Sequence, residues 1–278
     1  MFIIKTYTID EVKAKYLPRC KFGITTLKYI LCYIHDQRVC NFNKIKFITE
    51  NKLKELDACF DAFEKAGLTA TIFGFQEFCG DIYHYSPKVF IPKLTTQTLV
   101  KQVVKKSNIN QDSDILDLCT GSGCVSISIT KEIGCNADAC DLHEDVISIA
   151  KSNNDRLGGN VNFFTMNVLG DWSKQINKKY DVIVSNPPYW SKKIANENKN
   201  IVDSSSTDGF LGGEDGLLFI KKIIDTAVHY LKPNGMLFLE FADDQKEQVV
   251  SLLKENYKDI RVYKDWHHNP KVVAAKIK

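Results

Sequence analysis

The tetrapeptide Asn186-Pro187-Pro188-Tyr189 combines residue types suited to holding a flat NH2 group. Two consecutive prolines fix φ and withhold two N–H donors, so the neighbouring carbonyls project from a stiff loop as acceptors. Asn186 adds a side-chain oxygen and Tyr189 a flat aromatic face. The Asn186 side chain and the Pro187 carbonyl can together grip the N–H bonds of an amide or an exocyclic amine. Such a nitrogen is a poor nucleophile because its lone pair is delocalised into the π-system. Acceptors on its N–H bonds orient it and stabilise the positive charge that develops as it attacks an electrophile. The chemistry served is methyl transfer to a planar nitrogen, with no metal and no strong base. The bland alternative is a rigid connection after a strand, since Asn-Pro often marks a turn.

A second group lies upstream, in Asp117-Leu118-Cys119-Thr120-Gly121-Ser122-Gly123. Gly121 and Gly123 let a backbone turn tightly against a ligand. A dinucleotide loop would have a third glycine three residues after Gly123, but Ser126 stands there, which argues against a nicotinamide cofactor. Asp141 ends the next apolar run and can accept from both hydroxyls of a ribose; its plainer role would be an N-cap. Asn167 follows the run after that. It is equally readable as an adenine contact through its amide and as a turn residue. A glycine loop, a carboxylate and an acceptor loop, all at strand ends, converge on S-adenosylmethionine (SAM) as the methyl donor.

The elements that must position these groups alternate. Short apolar runs at 115–118, 137–141, 161–164, 181–185 and 236–240 read as strands, the last preceded by a Lys232-Pro233-Asn234-Gly235 turn. Helical stretches fall between them, at about 125–133, after 141, at about 217–230 and at about 245–255. Two further strands are expected near 260–263 and 272–277. This alternation predicts an α/β, Rossmann-like, doubly wound sheet of seven mostly parallel strands. The first ~80 residues read as mainly helical: Leu53, Leu56, Phe60 and Phe63 share one helix face, and Gly67 marks a stop. An aromatic-rich stretch from Gly74 to Pro92 reads as a hairpin or packed linker. The expected organisation is a helical domain over 1–73, a linker over 74–92 and a catalytic domain over 93–278.

Composition narrows the class. The chain has 278 residues, 44% hydrophobic and 26% charged, which suits a soluble globular protein with one large and one small domain. A net charge of +3 gives no strong nucleic-acid signal. No apolar run approaches the roughly 20 residues of a membrane span. The start lacks a basic-then-apolar leader, so a cytoplasmic location is expected. The nine cysteines form no C-x-x-C pair and read as free thiols in a reducing compartment.

The two loops resemble those of the HemK/PrmC family of protein-(glutamine-N5) methyltransferases, and the resemblance runs over nearly the whole chain. Residues 72–80 look like the family's junction motif and Val89 to Gln97 its I-P-R-x-x-T-E segment. Gly212-Gly213-Glu214-Asp215-Gly216-Leu217 looks like its G-G-x-D-G-L turn, and Leu231 to Gly235 with Glu240 and Gln245 its L-x-P-G-G…E…Q segment. The resemblance implies a class I SAM-dependent fold, a helical substrate-recognition domain, and a release factor as the protein partner. Its target would be the glutamine of the release factor's Gly-Gly-Gln loop. By motif position, Asp117, Cys119 to Gly123, Asp141, Asn167, Val168 and Asn186 would contact SAM, and Asn186 to Tyr189 would hold the acceptor amide. Lys93 stands for the family's Arg, Gln97 for Glu, Asn167 for Asp and Val168 for a bulkier side chain. The family's E-P-x-x-A-L is absent from Ser206 to Leu211. These departures touch the substrate-facing segments, so an amino group of a small molecule or nucleobase stands as an alternative acceptor. A non-catalytic SAM-binding protein is the reading of another class. A monomer is expected.

Overall fold

A computed structural model of the chain describes residues 5–20, 24–35, 39–66, 75–85, 89, 93–197 and 209–278. Gly67, the 72–74 end of the junction motif, 90–92 of the next motif and Ser206 to Asp208 lie outside the described residues, as does the Phe63 side chain. The chain divides into two compact units, Met1–His84 and Tyr85–Lys278. Among the described residues no helix is long and apolar enough to cross a membrane.

Among the described residues the first unit holds the α-helices α1 (Ile9–Tyr16), α2 (Ile24–Ile34) and α3 (Glu50–Ala66). Thr8 and Glu11 form a reciprocal capping box that starts α1. On α3, Leu56 and Phe60 are buried and Leu53 packs beside them, against Tyr16, Leu27, Leu31 and Ile48. Two strands of three residues each, β1 (Thr6–Thr8) and β2 (Phe47–Thr49), pair antiparallel. They are too short for an alternating pattern to stand out in sequence. A hairpin follows, β3 (Phe75–Phe78) and β4 (Asp81–His84), joined through Cys79-Gly80, and its Phe75 and Ile82 enter the same core.

The second unit opens with a helix that the strand-like run of β-branched residues concealed, α4 (Gln97–Lys106). Its apolar face, Leu99, Val100 and Val103, is buried. The expected alternation follows: β5 (Asp114–Leu118), α5 (Cys124–Ile133), β6 (Asn136–Asp141), α6 (Glu144–Leu157), β7 (Val161–Thr165) and β8 (Tyr180–Ser185). After a short helix α7 (Lys192–Glu197) come α8 (Leu218–Ala227), β9 (Leu231–Glu240), α9 (Lys246–Leu253), β10 (Tyr257–Lys264) and β11 (Pro270–Ile277). The seven strands lie in the order β10-β11-β9-β8-β5-β6-β7. β7, β6, β5, β8 and β9 run parallel, and β11 and β10 add antiparallel. The fold class is the expected one.

One boundary differs. Lys232 to Gly235 are not a turn before the strand but a bulge inside β9. Tyr180 pairs with Leu231 and Val182 already pairs with Met236, so the four residues loop out between. Asn234 takes the φ of +67° that the excursion requires.

Chain order reverses direction between β5 and β8, which places a crevice at their carboxyl ends. The strands there are anchored by a core of Leu116, Leu118, Ile183, Leu237 and Leu239 packed against Ile220, Ile223 and Ile224 of α8. Gly123 is where this packing meets the crevice. It has φ +80°, and a Cβ there would lie 2.8 Å from Ile127 Cδ1 and 3.1 Å from the Phe163 ring. Gly123→Ala is therefore expected to cost about 1–3 kcal/mol from overpacking, with backbone strain added. Urea denaturation measures it; an unchanged midpoint would mean that α5 shifts freely against β7.

Candidate active site

At the end of β5 the Asp117 carboxyl is buried. Its Oδ2 accepts from Thr120 Oγ1 at 2.6 Å and from the Ser126 amide at 3.3 Å. It thus ties both ends of the glycine loop to the strand. The loop is fixed from four further directions. The Thr120 amide donates to the Cys140 carbonyl (3.0 Å), the Gly123 amide to the Thr120 carbonyl (3.0 Å) and the Gly121 amide to Asp141 Oδ2 (2.8 Å). The buried Asn153 amide donates to the Ser122 carbonyl (2.9 Å). Cys119 carries a φ of +58°, a conformation unusual for a side chain with a Cβ. Its thiol is pushed well above the ordinary range by burial, then by the Asp141 and Asp117 carboxyls. The Ser122 hydroxyl is buried and has no partner among the described residues.

Asp141 is half-buried. Its Oδ1 accepts from the Leu142 amide at 2.8 Å and its Oδ2 from Gly121. Each oxygen keeps acceptor capacity, because a carboxylate offers about four lone-pair sites. Burial raises its pKa, and the two amides oppose the rise. After β7, the Asn167 side-chain oxygen accepts from the Leu169 amide (2.9 Å), a local turn bond, and Trp172 Nε1 pins the buried Val168 by donating to its carbonyl (2.8 Å).

The second loop leaves β8. Ser185 Oγ donates to the Leu118 carbonyl at 2.6 Å, and Asn186 Nδ2 approaches Thr96 Oγ1 at 3.5 Å. The Tyr189 carbonyl accepts from Gln245 Nε2 (2.9 Å) and the Trp190 carbonyl from the Gly212 amide (2.8 Å). By contrast, Asn186 Oδ1 and the Pro187 carbonyl accept no hydrogen bond among the described residues. The ring of Tyr189 is buried, with Lys271 Nζ 4.5 Å from its centroid on one side. Burial and the Glu240 carboxyl push its hydroxyl well above the usual phenol range, so it stays protonated.

The 209–218 segment braces this loop. The Trp190 amide donates to the Phe210 carbonyl (2.9 Å), and Trp190 and Leu211 form a parallel bridge. A Cβ on Gly212 would lie 2.7 Å from the Pro188 carbonyl oxygen, and one on Gly216 (φ +76°) would collide with the Tyr189 carbonyl. Only glycine lets the two backbones approach this closely.

One cavity of about 200 Å³ collects these groups. Asp117, Cys119, Thr120, Gly121, Ser122, Asp141, Asn167, Val168 and Asn186 to Tyr189 all line it. Gly123 does not; it stands behind the loop, packed on Ile127, Phe163 and Ala150. Sequence reasoning missed several other lining residues. Trp190 directly follows the acceptor tetrapeptide, and Met166 directly precedes Asn167, so proximity was a usable signal. Thr96 stands at the T of the I-P-R-x-x-T-E segment, which was a usable signal, whereas Phe210 sits in no pattern that would mark it. Lys93, noted only as a departure from the family's Arg, also lines the cavity, 5.2 Å from the Trp190 ring centroid. Burial, then the Lys271 charge, lowers its pKa, and Glu240 opposes them.

The Asp117 carboxyl is pushed up to about 7, chiefly by burial and in part by Asp141, against the pull of its Thr120 and Ser126 bonds. In the unfolded chain it titrates near ~3.9. The native state therefore keeps a proton that the unfolded state releases between these values. Its contribution to stability is full below about pH 4 and lost as pH rises through about 7. Asp117→Asn has no such proton to lose. The variant's urea midpoint relative to wild type is expected to move in the variant's favour from about pH 5 to about pH 8. A pH-independent difference would mean that Asp117 titrates like an exposed carboxylate.

Comparison with known proteins gives four matches. The family profile described as "Methyltransferase small domain" matches residues 92–207. The release factor glutamine methyltransferase of Bacteroides thetaiotaomicron is 33% identical over 229 residues, spanning 81% of this chain and 81% of that protein. That of Clostridium acetobutylicum is 32% identical over 267 residues, 92% of each. Among solved structures, a methyltransferase from Pyrococcus furiosus has a TM-score of 0.54 at 19% identity, covering 80% of this chain and 97% of that one, a likeness of fold.

Proposed function

We propose that this chain, which belongs to the release factor glutamine methyltransferase family, methylates a peptide chain release factor. The donor is SAM, and the acceptor is the side-chain amide of the glutamine in the factor's Gly-Gly-Gln loop. One observation carries the reading. Asn186 Oδ1 and the Pro187 carbonyl accept no hydrogen bond among the described residues, in a loop whose Tyr189 and Trp190 carbonyls are taken, and both residues line the cavity that Asp141 and the glycine loop also line.

The residues present fit SAM. Asp141 keeps lone pairs for ribose hydroxyls, and the buried Ser122 hydroxyl on the cavity wall lacks a partner among the described residues. At Gly121 the backbone lies open, a Cβ there meeting nothing closer than Val89 at 4.0 Å. Bound SAM supplies an electrophilic methyl on a sulfonium. The chain's own part is positioning and electrostatics. Asn186 Oδ1 and the Pro187 carbonyl accept the two amide N–H bonds and hold the nitrogen's face toward the donor side of the cavity. They also stabilise the positive charge that grows on nitrogen, more strongly in the transition state than in the ground state. Once alkylated, the nitrogen is acidic and gives up its proton without a strong base. Recognition of the remainder of the release factor is assigned, in the same proposal, to the helical segment 1–73.

The direct test is mass spectrometry of the source organism's folded release factor after incubation with the chain and SAM. A gain of one methylene mapping to the Gly-Gly-Gln glutamine is expected. Label entering only small molecules or nucleic acid would overturn the substrate assignment. Asn186→Ala is expected to lose roughly 10²-fold or more in kcat, by analogy with removing one preorganised donor from an oxyanion hole. Its SAM affinity should fall far less, and a near wild-type rate would refute the acceptor role. Asp141→Ala is expected to weaken SAM binding by about 1.5–3 kcal/mol, the range of a hydrogen bond to a charged group. Calorimetry measures this, and unchanged affinity would remove Asp141 from the cofactor site.

A further inference from the structure

Behind the acceptor loop lies an ion pair that the reaction as described does not use. Glu240 ends β9 fully buried, and Lys271, at the start of β11, is nearly so. Their charged groups are 3.2 Å apart. The Tyr189 hydroxyl sits between them, donating to Glu240 Oε1 at 3.0 Å and accepting from Lys271 Nζ at 2.7 Å. Lys271 Nζ also reaches the Phe241 carbonyl at 3.4 Å, and its charge lies over the Tyr189 ring. Neither Glu240 nor Lys271 lines the cavity, whereas Tyr189 does.

This arrangement is a poor device for stability. Two charges have been taken out of water, and Glu240 Oε2 is left without a hydrogen bond among the described residues. Replacing such a pair with apolar side chains is often neutral or stabilising. What the pair does supply is direction. An apolar cavity around the tyrosine tip would let the ring tilt, while two charge-assisted bonds to one hydroxyl fix both the ring plane and its depth. Because Pro187 and Pro188 each have φ fixed, holding Tyr189 also restrains the backbone path back to the Pro187 carbonyl and Asn186.

We propose that Glu240 and Lys271 are positioning residues for methyl transfer: a buried brace on the Tyr189 hydroxyl that holds the acceptor loop in its reactive geometry. The inference rests on the functional reading above and concerns kcat, not cofactor binding.

The test uses the full chain, SAM and the folded release factor, and compares three variants with wild type. The first replaces the pair, Glu240→Leu with Lys271→Met. Combined with Tyr189→Phe, which leaves no stranded hydroxyl, it is expected to melt at or above the wild-type Tm, while the pair variant by itself should bind SAM with wild-type affinity by calorimetry. It should nevertheless lose about tenfold or more in kcat, since small misplacements of reacting groups are costly. The second, Tyr189→Phe, leaves the ion pair intact and should lose kcat comparably. The third combines all three substitutions and should be no slower than the first, because both routes remove one brace. Wild-type kcat in the pair variant overturns the proposal. So do losses that multiply in the triple variant, or a kcat loss in that variant that merely follows a lowered Tm. If the pair variant does not fold, Tyr189→Phe decides alone, wild-type kcat again being the overturning result. A wild-type chain that leaves the release factor unlabelled removes the functional reading, and the brace falls with it.

Discussion

The glycine loop and the Asn186–Tyr189 loop lie far apart in the chain, yet one short hydrogen bond joins their roots. Ser185 Oγ donates to the Leu118 carbonyl at 2.6 Å inside the core, and the same two residues face each other in the parallel register of β5 and β8. The residue after Leu118 begins the glycine loop and the residue after Ser185 is Asn186. Any slip of β5 against β8 would move the two halves of the site apart. The parallel ladder, with its evenly spaced bonds and apolar faces on both sides, resists such a slip.

From that root the site is built by exhausting backbone polarity. The Thr120, Gly121 and Gly123 amides of the glycine loop each have a partner, supplied by Cys140, by Asp141 and by Thr120. Carbonyls after Pro188 are likewise consumed by Gln245 and Gly212. A loop whose other groups are satisfied cannot easily relax, so the acceptors left open keep a fixed direction. This preorganisation is what electrostatic catalysis needs, because the groups are oriented before charge appears.

The same region gathers the unit's costly groups. Asp117 is buried beside Asp141, and Glu240 is buried against Lys271 at the end of β9, on the other side of β8. None of this polarity helps the apolar core formed by Leu116, Ile183, Leu237 and Ile223. The core tolerates it because the sheet beneath is continuous and packed by helices. The glycines at 212 and 216 extend the logic to backbone, giving up side chains so that a remote segment can lie directly on the acceptor loop.

Much of this was legible in sequence, for a physical reason. Parallel strands buried on both faces read as plain apolar runs, and loops that bind small planar or phosphate-like groups need glycine and proline at fixed spacings. Those signals are local, so β5 through β9, the glycine loop, Asp141 and Asn186 to Tyr189 could be picked out without coordinates. The helix at Gln97–Lys106 was hidden because its Val and Thr residues carry strand propensity, and burial of one face overrode it. The bulge at Lys232 to Gly235 was hidden because a turn composition looks the same within a strand as before one. Thr96, Phe210, Glu240 and Lys271 reach the acceptor loop only across strands and segments far apart in the chain. A lysine among 37 basic residues carries no local mark of such a role. Local chemistry determined which loops could hold cofactor and acceptor; only the tertiary structure decided which distant side chains touch those loops, because that depends on register and packing rather than on spacing along the chain.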